Sequence, residues 1–141
     1  MSDAKAGALS RVPLFAGLSR KELEFLTTRT DELKIEAGRT LIHQGEPSDA
    51  FYVLLEGEAD VEQHGHKRPT LHAGDFFGEI SMLDRGPATA TVVAKTPVRV
   101  MVMSHAQFRD AVKANEHVLL RVLQVVAERL RRDALEREAK P

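Results

Sequence analysis

The residues best suited to chemistry sit together in Phe77–Val92, FGEISMLDRGPATATV. Gly78 and Glu79 open a short apolar segment, Ile80–Leu83, with content for barely one helical turn. Asp84, Arg85, Gly86 and Pro87 then break regular structure. Ala88–Val92 alternates small and β-branched residues, which predicts a return to strand. A single helical turn wedged between strands offers orphan backbone N–H groups, and the glycine leaves room for a ligand to approach. Those groups and the helix dipole both favour negative charge. Spacing alone leaves two readings open, an anion site or a plain connection with a 3₁₀ or α turn.

Other chemistry is thinner. The chain has no cysteine, which excludes disulfides, thiolate metal sites and cysteine nucleophiles. Six histidines invite a metal reading. His64-Gly65-His66 lacks a carboxylate a few residues on, where Arg68, Pro69, Thr70 and Leu71 stand, so a hairpin tip is the better account. His43 and His72 are isolated, and Glu79 has no second acid or base beside it, so neither a metal nor an enzymatic dyad is expected. No nucleophile-elbow, Walker or kinase motif is present.

The elements that must position Phe77–Val92 follow from size and patterning. At 141 residues, 43% hydrophobic and 29% charged, the chain suits one folded domain with a real core. Residues 1–8 are small and polar and are expected to be disordered; 9–141 form a single domain. Within it, 9–30 carry N-terminal helices, with a capping box at Ser19-Arg20-Lys21-Glu22 and an apolar face of Leu23, Phe25 and Leu26 ending near Thr30. Over 31–103 the period falls to two, and about eight short strands separated by glycine turns predict a closed sandwich or roll. One of these strands is expected to start at Leu71, after a tip of His64–Lys67. Over 104–138 the pattern is helical again. Ser104–Gln107 is a second capping box, Phe108, Ala111 and Val112 face inward, Asn115 makes a break, and one long helix runs over Glu116–Glu138. Its stripe is Leu119, Leu123, Val126 and Leu130, widened by Val122. The fold class is mainly β with flanking helices, a jelly-roll-like β-roll closed by a long C-terminal helix.

VPLFAGLSRKEL, GRTLIHQGEPSDAFYVLLEGEADV, AGDFFGEISML and PATATVVA, in that order, resemble the cyclic nucleotide-binding domain family over about Leu9–Leu130. The resemblance implies that Phe77–Val92 is the phosphate-binding cassette, with Phe77, Gly78, Glu79, Ile80, Ser81, Pro87, Ala88, Thr89 and Ala90 around the ligand. Backbone N–H groups of Gly78 and Ile80, and the N–H and hydroxyl of Thr89, would receive the cyclic phosphate. Glu79 would accept the ribose 2′-hydroxyl through a charge-assisted hydrogen bond. Arg129 and Asp133 on the last helix would reach the base. The family has Pro-Arg where this chain has Pro87-Ala88, so the phosphate-pairing arginine is absent. Losing such a pair costs on the order of 2–5 kcal/mol, or roughly 1.5–3.5 decades of affinity. Arg85 is three residues away, and a solvated turn residue is the plainer account of it.

The resemblance therefore implies a non-enzymatic sensor that binds a cyclic nucleotide, cAMP in preference to cGMP and weakly to moderately, and signals through its last helix. The alternative is a degenerate member that binds no nucleotide and serves as a dimerisation or interaction module. A homodimer through the C-terminal helix and a separate effector protein are the expected partners. A net charge of −1, and basic residues interleaved with acids over Arg129–Lys140, argue against nucleic acid binding by this chain alone. With the sequence ending at Pro141, no helix-turn-helix of the kind found in transcription factors of this type is expected. No apolar run reaches membrane length and Met1–Gly7 lacks a signal-peptide core, so the expected location is cytoplasmic.

Overall fold

The computed structural model describes residues 7 and 9–139. The expected disorder of residues 1–8 falls, Gly7 apart, outside them. A 3₁₀ turn, Pro13–Phe15, leads into α1 (Arg20–Thr27). Eight strands follow among the described residues: β1 (Asp31–Ile35), β2 (Thr40–Ile42), β3 (Ala50–Glu56), β4 (Ala59–Gln63), β5 (His66–Leu71), β6 (Phe76–Phe77), β7 (Thr91–Ala94) and β8 (Val98–Ser104). The short helix α2 (Glu79–Asp84) interrupts them between β6 and β7, and α3 (His105–Ala114) and α4 (Glu116–Ala139) close the chain. The strands form two antiparallel sheets, ordered β1-β8-β3-β6 and β2-β7-β4-β5, packed as a roll.

The dense apolar run of β3 reflects burial on both of its faces. Phe51 and Val53 point to the helices, where they meet Met101, Met103, Phe108, Val118 and Val122. Leu54 points into the roll, with Val92, Val98 and Val100. Phe76 and Phe77 split the same way, so β6 ties the two cores together. Both capping boxes form. The Ser19 hydroxyl accepts from Glu22 N–H while Glu22 accepts from Ser19 N–H, and Ser104 and Gln107 do the same for α3.

Several boundaries differ from expectation. Helix α1 stops at Thr27 rather than Thr30. The hairpin tip is only His64-Gly65, at φ 51° and 79°, and β5 begins at His66 rather than Leu71. Positive φ at both loop residues is what a two-residue hairpin turn requires. Strand β5 lies at a sheet edge, which accommodates Pro69. Residues 88–90 are not strand, because their backbone is engaged elsewhere: Ala88 N–H donates to Glu46 O at 2.9 Å and Gly45 N–H to Ala88 O at 2.8 Å. The single stripe expected on α4 divides in two. Val118 and Val122 are buried against the roll side, whereas Leu120, Leu123, Leu130 and Leu135 are exposed.

Candidate functional site

The chain reverses sharply out of β6 at Gly78, whose φ is 86°. A Cβ there would lie 2.6 Å from Ala50 O, so both conformation and space demand glycine. The turn sets Glu79 at the start of α2, where its side chain is buried with Ser81. Phe77 stacks on Tyr52 with centroids 4.9 Å apart, which fixes the position of β6 under this turn. Burial raises the Tyr52 phenol pKa.

A cavity of about 590 Å³ lies between this turn, β4–β5 and α4. Phe77, Gly78, Glu79, Ile80, Ser81, Ala88, Thr89, Ala90, Arg129 and Asp133 all line it. Pro87 does not; it lines a second cavity of about 240 Å³, with Arg85 and His105. Arg85, at φ 61°, is the left-handed cap of α2 and belongs to that second cavity. Ala88 is buried in the inner core at one wall of the main cavity. Thr89 O accepts from Gln63 Nε2 at 3.1 Å, which ties the turn to β4.

The opposite wall is α4. Arg129 Nη1 donates to Glu79 Oε1 at 2.5 Å, and Nη2 to Phe76 O at 2.7 Å. Its guanidinium also lies 5.1 Å from the Phe76 ring centroid, a cation–π contact. One turn later Asp133 accepts from Arg68 Nη2 of β5. Two ion pairs thus span the cavity from helix to roll. Arg68 and Thr70 are wall residues that sequence reasoning missed. Their i, i+2 spacing on β5 was the available signal. Among the described residues no three His, Asp or Glu side chains are grouped to hold a metal ion. His64 instead caps the hairpin through Gln44, whose Oε1 accepts from His64 N–H at 2.8 Å.

The chain that builds this cavity has known relatives. The family model for the cyclic nucleotide-binding domain matches residues 32–115. The cAMP-dependent protein kinase regulatory subunit of Aspergillus niger is 37% identical over 115 residues, covering 80% of this chain and 28% of that protein. This chain therefore spans less than a third of that relative. The Thermus thermophilus catabolite activator protein superposes with a TM-score of 0.80 at 25% identity, covering 89% of this chain and 62% of that one. The regulatory subunit of a cAMP-independent protein kinase A from Trypanosoma brucei does so with a TM-score of 0.80 at 25% identity, covering 90% and 46%.

Proposed function

The chain belongs to the cyclic nucleotide-binding domain family, and from that premise we propose that it is a non-enzymatic regulatory module taking cAMP, in preference to cGMP, into the cavity beneath α4. The observation that carries this reading is Glu79. A carboxylate at 4% exposure is costly to bury unless it is paired and used, and this one is held by Arg129 inside a cavity of nucleotide size. The N–H groups of Gly78 and Ile80, with Thr89, would take the cyclic phosphate, and Glu79 the ribose 2′-hydroxyl. Asp133 and Arg68 stand at the far end of the cavity, where the base would lie. Ligand bound between roll and helix favours the docked position of α4, which is a population shift with the helix as output. Titration calorimetry with cAMP and cGMP tests this. Saturable heat with cAMP the tighter is expected; no heat and no thermal shift at millimolar ligand overturns it.

Helix α4 also supports a homodimer. Leu120, Leu123, Ala127, Leu130 and Ala134 recur at alternating three- and four-residue spacing and are all exposed. That is the seam of a two-stranded coiled coil. Light scattering should give twice the chain mass, and Leu123→Glu with Leu130→Glu should return the monomer.

A second reading is favoured by Ala88. With no arginine after Pro87, and with Arg85 in the other cavity, the turn lacks its own cation. A chain so built is a dimerisation or interaction module if it binds no nucleotide. Ala88→Arg discriminates: binding that appears only in that variant supports the second reading, and micromolar binding by the native chain removes it.

A further inference from the structure

We propose that Arg129, on the closing helix, reads the negative charge of the ligand in place of the cation the cassette lacks. The inference rests on the cyclic nucleotide reading above and assigns a charge-reading residue within it.

The cations around the main cavity are Arg68, Arg129 and Arg132 among the described residues. Arg68 is committed to Asp133 at the β5 end. Arg132 is exposed on the helix. Arg129 alone has its guanidinium against the cassette turn, bonded to Glu79 Oε1 and Phe76 O. Those two bonds leave further N–H donors on the guanidinium for another acceptor. They also engage only one oxygen of Glu79, so Oε2 is available to a sugar hydroxyl while the ion pair persists. The covalent structure of the ligand then completes the argument. In a 3′,5′-cyclic nucleotide the phosphate is esterified at O3′, on the carbon next to the one bearing the 2′-hydroxyl. A cation bonded to the carboxylate that accepts the 2′-hydroxyl is therefore beside the phosphate. Planar, bidentate recognition of an oxyanion is what a guanidinium does best.

This placement has a consequence that a cassette arginine would not have. The residue that meets the charge is part of α4, so a charged ligand grips the helix directly. A neutral nucleoside with the same sugar and base would fill the cavity without that grip.

The test compares cAMP with adenosine, by calorimetry for affinity and by hydrogen exchange along α4 for closure. The wild-type chain should bind cAMP about 10- to 100-fold more tightly than adenosine, the range of one charge-assisted contact at a half-buried site. Arg129→Gln should erase most of that ratio by weakening cAMP far more than adenosine. Arg129→Lys, which keeps the charge, should retain part of it. Adding Ala88→Arg to Arg129→Gln should restore the cAMP preference without restoring protection of α4. A melting curve checks that each variant is folded. Should Arg129→Gln keep the full cAMP-to-adenosine ratio, or should the wild type bind the two equally, the charge-reading role is overturned while the ligand site stands. If the wild type binds neither, the nucleotide reading fails and this inference with it.

Discussion

The two walls of the cavity are built from different physics. The roll wall is a product of non-local burial: β3, β6 and β8 send alternate side chains into two cores, and the turn at Gly78 is held between them. The helix wall is anchored by Val118 and Val122, with the partly buried Val125 and Val126 beside them, and farther along by polar contacts, Arg129 to Glu79 and Asp133 to Arg68. Its outer leucines, Leu120, Leu123, Leu130 and Leu135, are exposed. The roll is therefore the firmer body and α4 the element expected to open first, since locally weak regions open at lower free energy than the core. The family model also matches only residues 32–115, which covers the first wall and stops before the second.

The widest gap between the walls should appear in core truncations. Leu54 is fully buried inside the roll, and Leu54→Ala is expected to cost about 2–5 kcal/mol. Val122, equally buried but on α4, should cost about 1.5–3 kcal/mol as Val122→Ala. Urea denaturation gives both numbers. Hydrogen exchange sharpens the contrast: Leu54→Ala should accelerate exchange throughout, whereas Val122→Ala should accelerate α3 and α4 before the sheets. Uniform acceleration in both variants would mean that the walls form one cooperative unit.

Gly78→Ala comes next. The left-handed conformation alone costs an L-residue about 1–2 kcal/mol, and the new Cβ meets a backbone oxygen, Ala50 O, that cannot swing aside. The roll should stay folded with a lowered melting temperature. Nucleotide affinity should fall further than stability does, because the displaced segment is the one that positions Glu79.

How much of this was legible depended on whether the partner of each residue was local. The capping boxes at Ser19 and Ser104 were readable because both bonds close within three residues. The apolar run Phe51–Leu55 is dense enough to show a strand by composition alone, and β3 covers it. By contrast β6 has two residues, too few to show alternation. The early part of β5 is charged and contains Pro69, features that an edge strand tolerates but that masked it. The strand expected over Ala88–Val92 was wrong at its start because Ala88 pairs with Gly45 and Glu46, far away in sequence. In the candidate site, the turn at Phe77–Val92 was visible as one contiguous segment. The Arg129–Glu79 pair, fifty residues apart, and the Asp133–Arg68 pair were not, since nothing local specifies which roll residue a helix side chain will meet. The division of the α4 stripe escaped for a related reason: one periodic pattern served two different surfaces.

The latch at the far end of α4 should matter less to stability than either core substitution. Arg68 and Asp133 are 22% and 33% exposed, and partly solvated pairs contribute about 0–1 kcal/mol. Asp133→Asn should therefore leave the urea midpoint nearly unchanged. It should still raise amide exchange in the second half of α4, beyond Arg129, and leave the first half, packed through Val118 and Val122, as it was. A loss of global stability comparable to that of Val122→Ala would show that the polar latch is part of the core after all.

The smallest effect separates the two helices that flank the roll. Their capping boxes are alike in geometry, but α1 uses a carboxylate, Glu22, and α3 an amide, Gln107. The Glu22 pKa is lowered, first by the backbone N–H of Ser19 and then by the Ser19 side chain, with a small favourable contribution from His117 at the start of α4. A carboxyl whose folded-state pKa is depressed stabilises the fold above its unfolded value, and that contribution is lost as pH falls through the folded value. Acidification through the carboxylate range should thus loosen the first turn of α1 while that of α3, capped by a group that does not titrate, holds. An NMR titration should find the Glu22 carboxyl below the ordinary glutamate value, and Ser19→Ala, which keeps the Ser19 backbone N–H, should move it only part of the way back. Equal loosening of both helix starts on acidification would place the pH sensitivity elsewhere in the helical layer. A change confined to α1 would show that the flanking helices, so similar in sequence signature, respond to acid through a single side chain.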